Sequence, residues 1–369
     1  MGAEGDELST LTDKFTAANP GVKVNVTSIP WSSAHDKFVS AAAANVLPDV
    51  AQVGTTWVAE FATQIDPTPS NIDAGKFVEG AQKTTVVDGT SLGVPWYVET
   101  RVVYYNKAVA KKAGITTEPT TWDEFMAMVK AMKEKGGAKY GISLQPGGNG
   151  SWQTVLPMMW SGGGKINADD GSSWTFDDPK NADGLKFYQD FFTQDLANKA
   201  PVGDTLVADF ASGKVPMFIS GPWMMSGVEK DGKMDKDAYG VFVMPKKESG
   251  ASFIGGSNLA VFKETKNRDA AWKLVDYLTQ AETQVDWFTT VGALPSVKTA
   301  LEDPKVSGDP KFAVFAEQLK TAYAPPSVGT WEQIAKQFDS TVERVTKKGA
   351  DPASSLKALQ EQATSIGME

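Results

Sequence analysis

The chain has 369 residues, 41% of them hydrophobic, with a formal net charge of −9, one histidine and no cysteine. At roughly 150 residues per domain this length predicts two domains. The acidic balance repels phosphate backbones and excludes nucleic acid as a partner, while the missing cysteines exclude disulfides, zinc–thiolate sites and thiol nucleophiles, and a lone His35 excludes metal sites built on paired histidines.

Residues 1–7 carry neither the basic nor the apolar region of a signal peptide, and no run reaches the ~18–20 apolar residues that span a bilayer. Leu8, Leu11, Phe15 and Ala18 have helical spacing, and Asn19-Pro20-Gly21 stops that helix. Val22, Val24 and Val26 alternate with polar residues as a half-buried strand. A helix follows from Ala34 to Asn45, then a short strand at 49–53 and a helix opening at Gly54 and running through Trp57 and Phe61. This alternation predicts a parallel, layered α/β sheet. Because a helix starts at Asp6 with no strand before it, the reading also expects an opening strand and an export segment upstream, the latter a lipoprotein signal.

The run Leu92 to Asn106 becomes strand-like in its second half. Thr121 and Glu124 form a capping box at the start of a helix that ends near Gly136. A strand is expected at 140–144, helices at 152–160, 181–194 and 203–212, and strands at 215–220, 239–244 and 259–262. The remainder reads as helices at 268–289, 309–322, 331–347 and 352–366.

Several catalytic motifs fail on inspection. Gly164-Lys165 lacks a phosphate loop's first glycine, since Met159 stands there, and its Ser/Thr, replaced by Ile166. Gly148-x-Gly150 lacks the third glycine of a dinucleotide loop. There is no G-x-S-x-G elbow. The 45 acidic residues leave a carboxylate pair for glycoside hydrolysis open without marking one.

Three blocks place aromatic and polar groups at expected strand ends: 95–101 (Pro-Trp-Tyr-Val-Glu-Thr-Arg), 220–223 (Ser-Gly-Pro-Trp) and 253–258 (Phe-Ile-Gly-Gly-Ser-Asn). The carboxyl ends of strands are where α/β folds bind ligands. Sugars suit such residues, because their C–H faces stack on indole and phenol rings while each hydroxyl needs a donor and an acceptor.

Read in order, Phe15…Asn19-Pro20-Gly21-Val22, Pro48-Asp49-Val50, Gly93-Val94-Pro95-Trp96, Tyr104-Tyr105-Asn106-Lys107, Thr121-Trp122-x-Glu124-Phe125, Phe210-x-x-Gly213-Lys214, Gly221-Pro222-Trp223, Gly255-Gly256 and Gly292-Ala293-Leu294-Pro295 resemble the type-1 bacterial extracellular solute-binding family over nearly the whole chain. The resemblance implies an α/β, two-domain, periplasmic-binding-protein-like (type II) fold with a ligand cleft between the domains. It implies residues 1–106 and 257–306 in one domain and 107–256 and 307–369 in the other, with crossings near Asn106, Gly255-Gly256 and 305–310. The implied protein is an extracytoplasmic, cofactor-free, metal-free monomer. It captures a mono- or oligosaccharide by closure and delivers it to the membrane permease of an ABC importer. A non-sugar solute, such as a glycerol phosphate or a polyamine, is the alternative within the binding class, and a carbohydrate-active enzyme the alternative outside it.

Expected ligand contacts are Trp223, which the family resemblance makes a stacking ring; Trp96 and Tyr97, at least one of them facing the ligand; Glu99 and Arg101, two residues apart on one strand edge; and Asp49, an acid the family uses for a sugar hydroxyl. Glu4, Gly256, Ser257 and Asn258 are further candidates. Trp31, Trp57 and Trp160 are open between site and core, as are Trp287 and Trp331. Trp272, in helical register with Ala271, Val275 and Leu278, reads as core, and Trp122 and Trp174 read as packing residues.

Overall fold

The computed structural model describes residues 1–2, 4–203 and 205–368. It divides into two compact units: 1–99 with 255–309 and 327–329, and 100–254 with 310–326 and 330–369. The first crossing lies between Glu99 and Thr100, earlier than the expected Asn106. The strand Val102–Asn106 explains the difference: it hydrogen-bonds between Met217–Ser220 and Tyr239–Phe242 and so belongs to the second unit's sheet.

In the first unit the strand Val50–Gly54 lies beside Ser252–Val261, which lies beside Val94–Thr100, with Leu294–Pro295 at the far edge. The sheet mixes directions: Ala322–Tyr323 runs parallel to Ser252–Phe253, while two other pairings are antiparallel. Val50–Gly54 runs antiparallel to 257–261, with Val50 opposite Val261 and Gly54 opposite Ser257, and Leu294–Pro295 is antiparallel to Val94–Thr100. The helix–strand alternation suggested a parallel sheet, but these strands pair with segments some 200 residues away and not with their sequence neighbours. Phe38, Val53, Trp57, Phe61, Ile65 and Phe262 fill the core under this sheet. Phe15 of the helix Ser9–Ala18 packs on Tyr277 of Arg268–Leu278 at 5.4 Å between centroids.

Other expectations are also corrected. Residues 22–27 find no strand partner among the described residues, and Val26 is exposed, because alternation supplies an apolar face but not a neighbour. Residues 140–144 contribute only the bridge Ser143–Phe218. The stretch after Gly54 folds as successive turns, not a helix, though Phe61 N–H still bonds Trp57 O at 3.1 Å. The expected helix 268–289 is two, Arg268–Leu278 and Ala281–Val291, broken at Thr279-Gln280.

In the second unit Tyr104 stacks on Phe218 at 4.5 Å, with Phe210 edge-on at 4.8 Å. The helices Trp152–Ser161, Pro179–Thr193, Trp331–Lys348 and Pro352–Ile366 pack together. The capping box forms as read: Thr121 accepts from Glu124 N–H, and the Glu124 carboxylate returns to Thr121 N–H at 3.1 Å. None of the described helices is long and apolar enough to cross a membrane.

Candidate functional site

The block 95–100 and the block 253–258 lie inside strands Val94–Thr100 and Ser252–Val261, not at strand ends. This sorts their residues by strand face. Trp96 is 2% exposed and packs on Trp287, itself 2% exposed, at 5.6 Å. Asn258 is fully buried and donates to Thr84 Oγ1 at 3.0 Å. All three are core positions of the first unit.

On the same strands, Tyr97 and Ser257 converge with Gln52 of Val50–Gly54 and with Glu4. Gln52 Nε2 donates to Ser257 Oγ at 2.9 Å, to Tyr97 Oη at 3.4 Å and to Glu4 Oε2 at 3.5 Å. Burial pushes the Glu4 carboxyl above its ordinary value, with the nearby Glu99 charge adding to the effect. Burial, then the charges of Glu4 and Glu99, hold the Tyr97 phenol neutral. The patch therefore offers acceptors (the Glu4 and Glu99 carboxylates), a phenolic donor, an amide and a hydroxyl, a set matched to vicinal hydroxyls. Gly256 is what lets the strands meet here. Its φ is +126°, and a Cβ would fall 2.1 Å from the Tyr97 carbonyl oxygen.

Half-buried Trp31 meets Trp57 edge-on at 5.6 Å, while Trp57 itself is buried in the core and also packs on His35 at 5.2 Å. Asp49 is exposed and accepts from Thr265 Oγ1 and, at 3.3 Å, from Asn267 Nδ2, so it fastens the loop that starts the helix Arg268–Leu278. His35 Nε2 lies 2.6 Å from Glu60 Oε2, so the lone histidine is tied to a carboxylate beside Trp57.

The second unit gathers a different set at one end of its sheet. Val102 pairs with Ser220 at the end of the ladder, so Arg101 and Gly221 directly flank its last pair. Trp223 opens the helix Trp223–Lys230 and folds its half-exposed ring over Gly221, where a Cβ would overlap the indole at 1.8 Å. The Gly221 carbonyl is fixed by Tyr104 Oη at 2.7 Å. Arg101 donates through Nη2 to Gln153 Oε1 and through Nη1 to Thr154 Oγ1 at 3.5 Å, and its guanidinium lies 5.9 Å from the Phe253 ring. Trp160 is half-buried beside exposed Tyr323 at 5.9 Å. Trp331 is 0% exposed, wedged edge-on against Trp152 at 5.1 Å and beside Trp174, and is a core residue.

Gln52, Gln153, Thr154 and Tyr323 escaped the sequence reading. Gln52 had a signal, a polar residue on a strand whose neighbours Ala51 and Val53 are apolar; the other three sit in contexts no motif marks.

The family model described as "Bacterial extracellular solute-binding protein" matches residues 2–285. The chain is 27% identical to the diacetylchitobiose binding protein DasA of Streptomyces coelicolor, over 97% of this chain and 86% of that one. It is 26% identical to the maltotriose-binding protein of Pyrococcus abyssi, over 96% of this chain and 78% of that one. Among solved structures it resembles the sugar-binding protein MalE from Xanthomonas citri, with 29% identity and a TM-score of 0.87 over 99% of this chain and 95% of that one. The fold is that of the MalE-like type II periplasmic binding proteins.

Proposed function

We propose that this chain, which belongs to the bacterial extracellular solute-binding protein family, captures a neutral oligosaccharide outside the cytoplasm, as a monomer, and presents it to the permease of an ABC importer without transforming it. Relatives matched over nearly the whole of this chain, a diacetylchitobiose binding protein and a maltotriose-binding protein, support the sugar class. The observation that carries the reading is in the second unit: a half-buried indole, Trp223, folded over Gly221 just past Ser220, whose strand partner Val102 directly follows Arg101. An indole face takes the axial C–H groups of a pyranose, and the adjoining cation donates to ring hydroxyls.

The carboxylates, phenol and amide around Gln52 are the first unit's counterpart. We propose that the two units are the two closing domains, and that the sugar takes its stacking surface from one and most of its acceptors from the other. Contacts divided in this way favour the closed state, because a ligand shifts a conformational balance only by its differential affinity. Anchoring by a lipid belongs to the same proposal.

Thermal shift with maltotriose and diacetylchitobiose, run beside chromatography of the incubated sugars, tests it. Saturation at about 100 times Kd should stabilise the protein by about 2.7 kcal/mol, with both sugars recovered intact. Shortened products, or no shift across a mono- to tetrasaccharide panel, would overturn it.

A further inference from the structure

The helix Trp331–Lys348 reaches across the second unit to hold the start of Trp152–Ser161. Asp339 Oδ1 accepts from the Ser151 hydroxyl at 2.7 Å and from Trp152 N–H at 2.9 Å, and Oδ2 accepts from Gly150 N–H at 2.8 Å. A helix start leaves its first N–H groups unbonded. The local N-cap residue, Ser151, makes no side-chain cap of its own here, so a carboxylate distant in sequence caps the turn.

Two further contacts bind the preceding loop to the same helix. The Thr346 hydroxyl donates to Pro146 O at 2.6 Å. Gly147, at φ +121°, lies so close that a Cβ would sit 2.5 Å from Glu343 Cβ.

The next two residues of the capped turn are Gln153 and Thr154, the pair that holds the Arg101 guanidinium. Arg101 Nε is buried with no hydrogen-bond partner of its own, so the guanidinium's orientation depends on the two Nη contacts. Asp339 and Arg101 are close enough that both act, in opposite senses, on the Tyr188 hydroxyl, which donates to Gln145 O at 2.8 Å.

We propose that Asp339 is a positioning residue for ligand binding: by clamping residues 150–152 it sets Gln153 and Thr154, and through them the pose of Arg101. The consequence for affinity rests on the sugar-binding reading above; the positioning itself does not.

Two measurements separate these. The chain has three arginines, Arg101, Arg268 and Arg344, so side-chain ¹⁵N NMR of the ligand-free protein resolves Arg101 Nε–H, with Arg101→Lys assigning it. In the wild type this buried group should exchange slowly. Asp339→Ala should speed its exchange at least tenfold and shift it toward the free-arginine position, and Asp339→Asn, which keeps one acceptor oxygen, should give an intermediate result. An unchanged Arg101 signal in the folded Asp339→Ala protein would overturn the proposal.

The second measurement is a calorimetric double-mutant cycle with maltotriose and diacetylchitobiose as probes. Asp339→Ala should weaken affinity about tenfold in the wild-type background and add nothing to Arg101→Gln. Equal losses in both backgrounds would mean that Asp339 acts only on the stability of the unit, against the proposal. A wild type that binds neither probe would count against the sugar reading, while the NMR result still decides the positioning. Should Asp339→Ala fail to fold, Asp339→Asn carries both measurements.

Discussion

At the scale of single residues, eleven tryptophans divide by what surrounds them. Trp223 keeps a half-exposed face above Gly221, whereas Trp272 is 6% exposed and donates through Nε1 to Asp66 Oδ2 at 2.7 Å. Removing the first takes away a ring a ligand would stack on; removing the second leaves a cavity and an acceptor without its donor. Trp223→Ala should therefore weaken sugar affinity by roughly thirtyfold, the size expected for truncating an aromatic anchor, with little change in melting temperature. Trp272→Ala should cost about 3–5 kcal/mol of stability and leave Kd unchanged in the folded fraction. Calorimetric titration with thermal unfolding of both variants checks the pair, and an unchanged Kd for Trp223→Ala would remove that ring from the site.

At the scale of elements, the strands Val94–Thr100 and Ser252–Val261 carry both the core and the candidate contacts, because alternate residues face opposite ways. Trp96 and Asn258 point into the packed interior, and Tyr97 and Ser257 toward Gln52. Their approach is set by one glycine. Gly256→Ala would press a methyl group onto the Tyr97 carbonyl, which is backbone and cannot rotate away, at a φ that side chains disfavour. We expect a loss of about 3 kcal/mol from overpacking and strain together, with weakened sugar binding because Tyr97 carries its hydroxyl with it. Urea unfolding and titration of this one variant measure both; wild-type stability would show that the strands separate at little cost.

At the scale of the molecule, the chain passes between the two units inside those same strands, after Glu99 and after Ile254, and again after Asp309, Pro326 and Gly329. Strand crossings are few and short, so they suit a hinge that absorbs its rotation in a handful of backbone angles. Under the proposed closure, saturating maltotriose or diacetylchitobiose should reduce the radius of gyration in small-angle scattering, and Trp223→Ala should need correspondingly more sugar for the same change. Binding with no change in scattering would leave capture intact and remove closure from the mechanism.

The sequence alone determined what depends on local or ordered signals. The capping box at Thr121 needs only four consecutive residues, the core stripe around Trp272 only a helical period, and family membership only a series of short motifs in order. The Gly221-Pro222 step that ends the strand before Trp223 was likewise visible before any fold, although the helix Trp223–Lys230 that follows it was not. What the tertiary structure decided involves partners far apart in the chain. Gln52 meets Ser257 across 205 residues and Asp339 meets Trp152 across 187, and nothing in either local segment specifies such a pairing. The burial of Trp96, Trp287 and Trp331 has the same origin. Exposure is a property of the strand face or helix that arrives to cover a ring, and that neighbour is chosen by the packing of the whole unit.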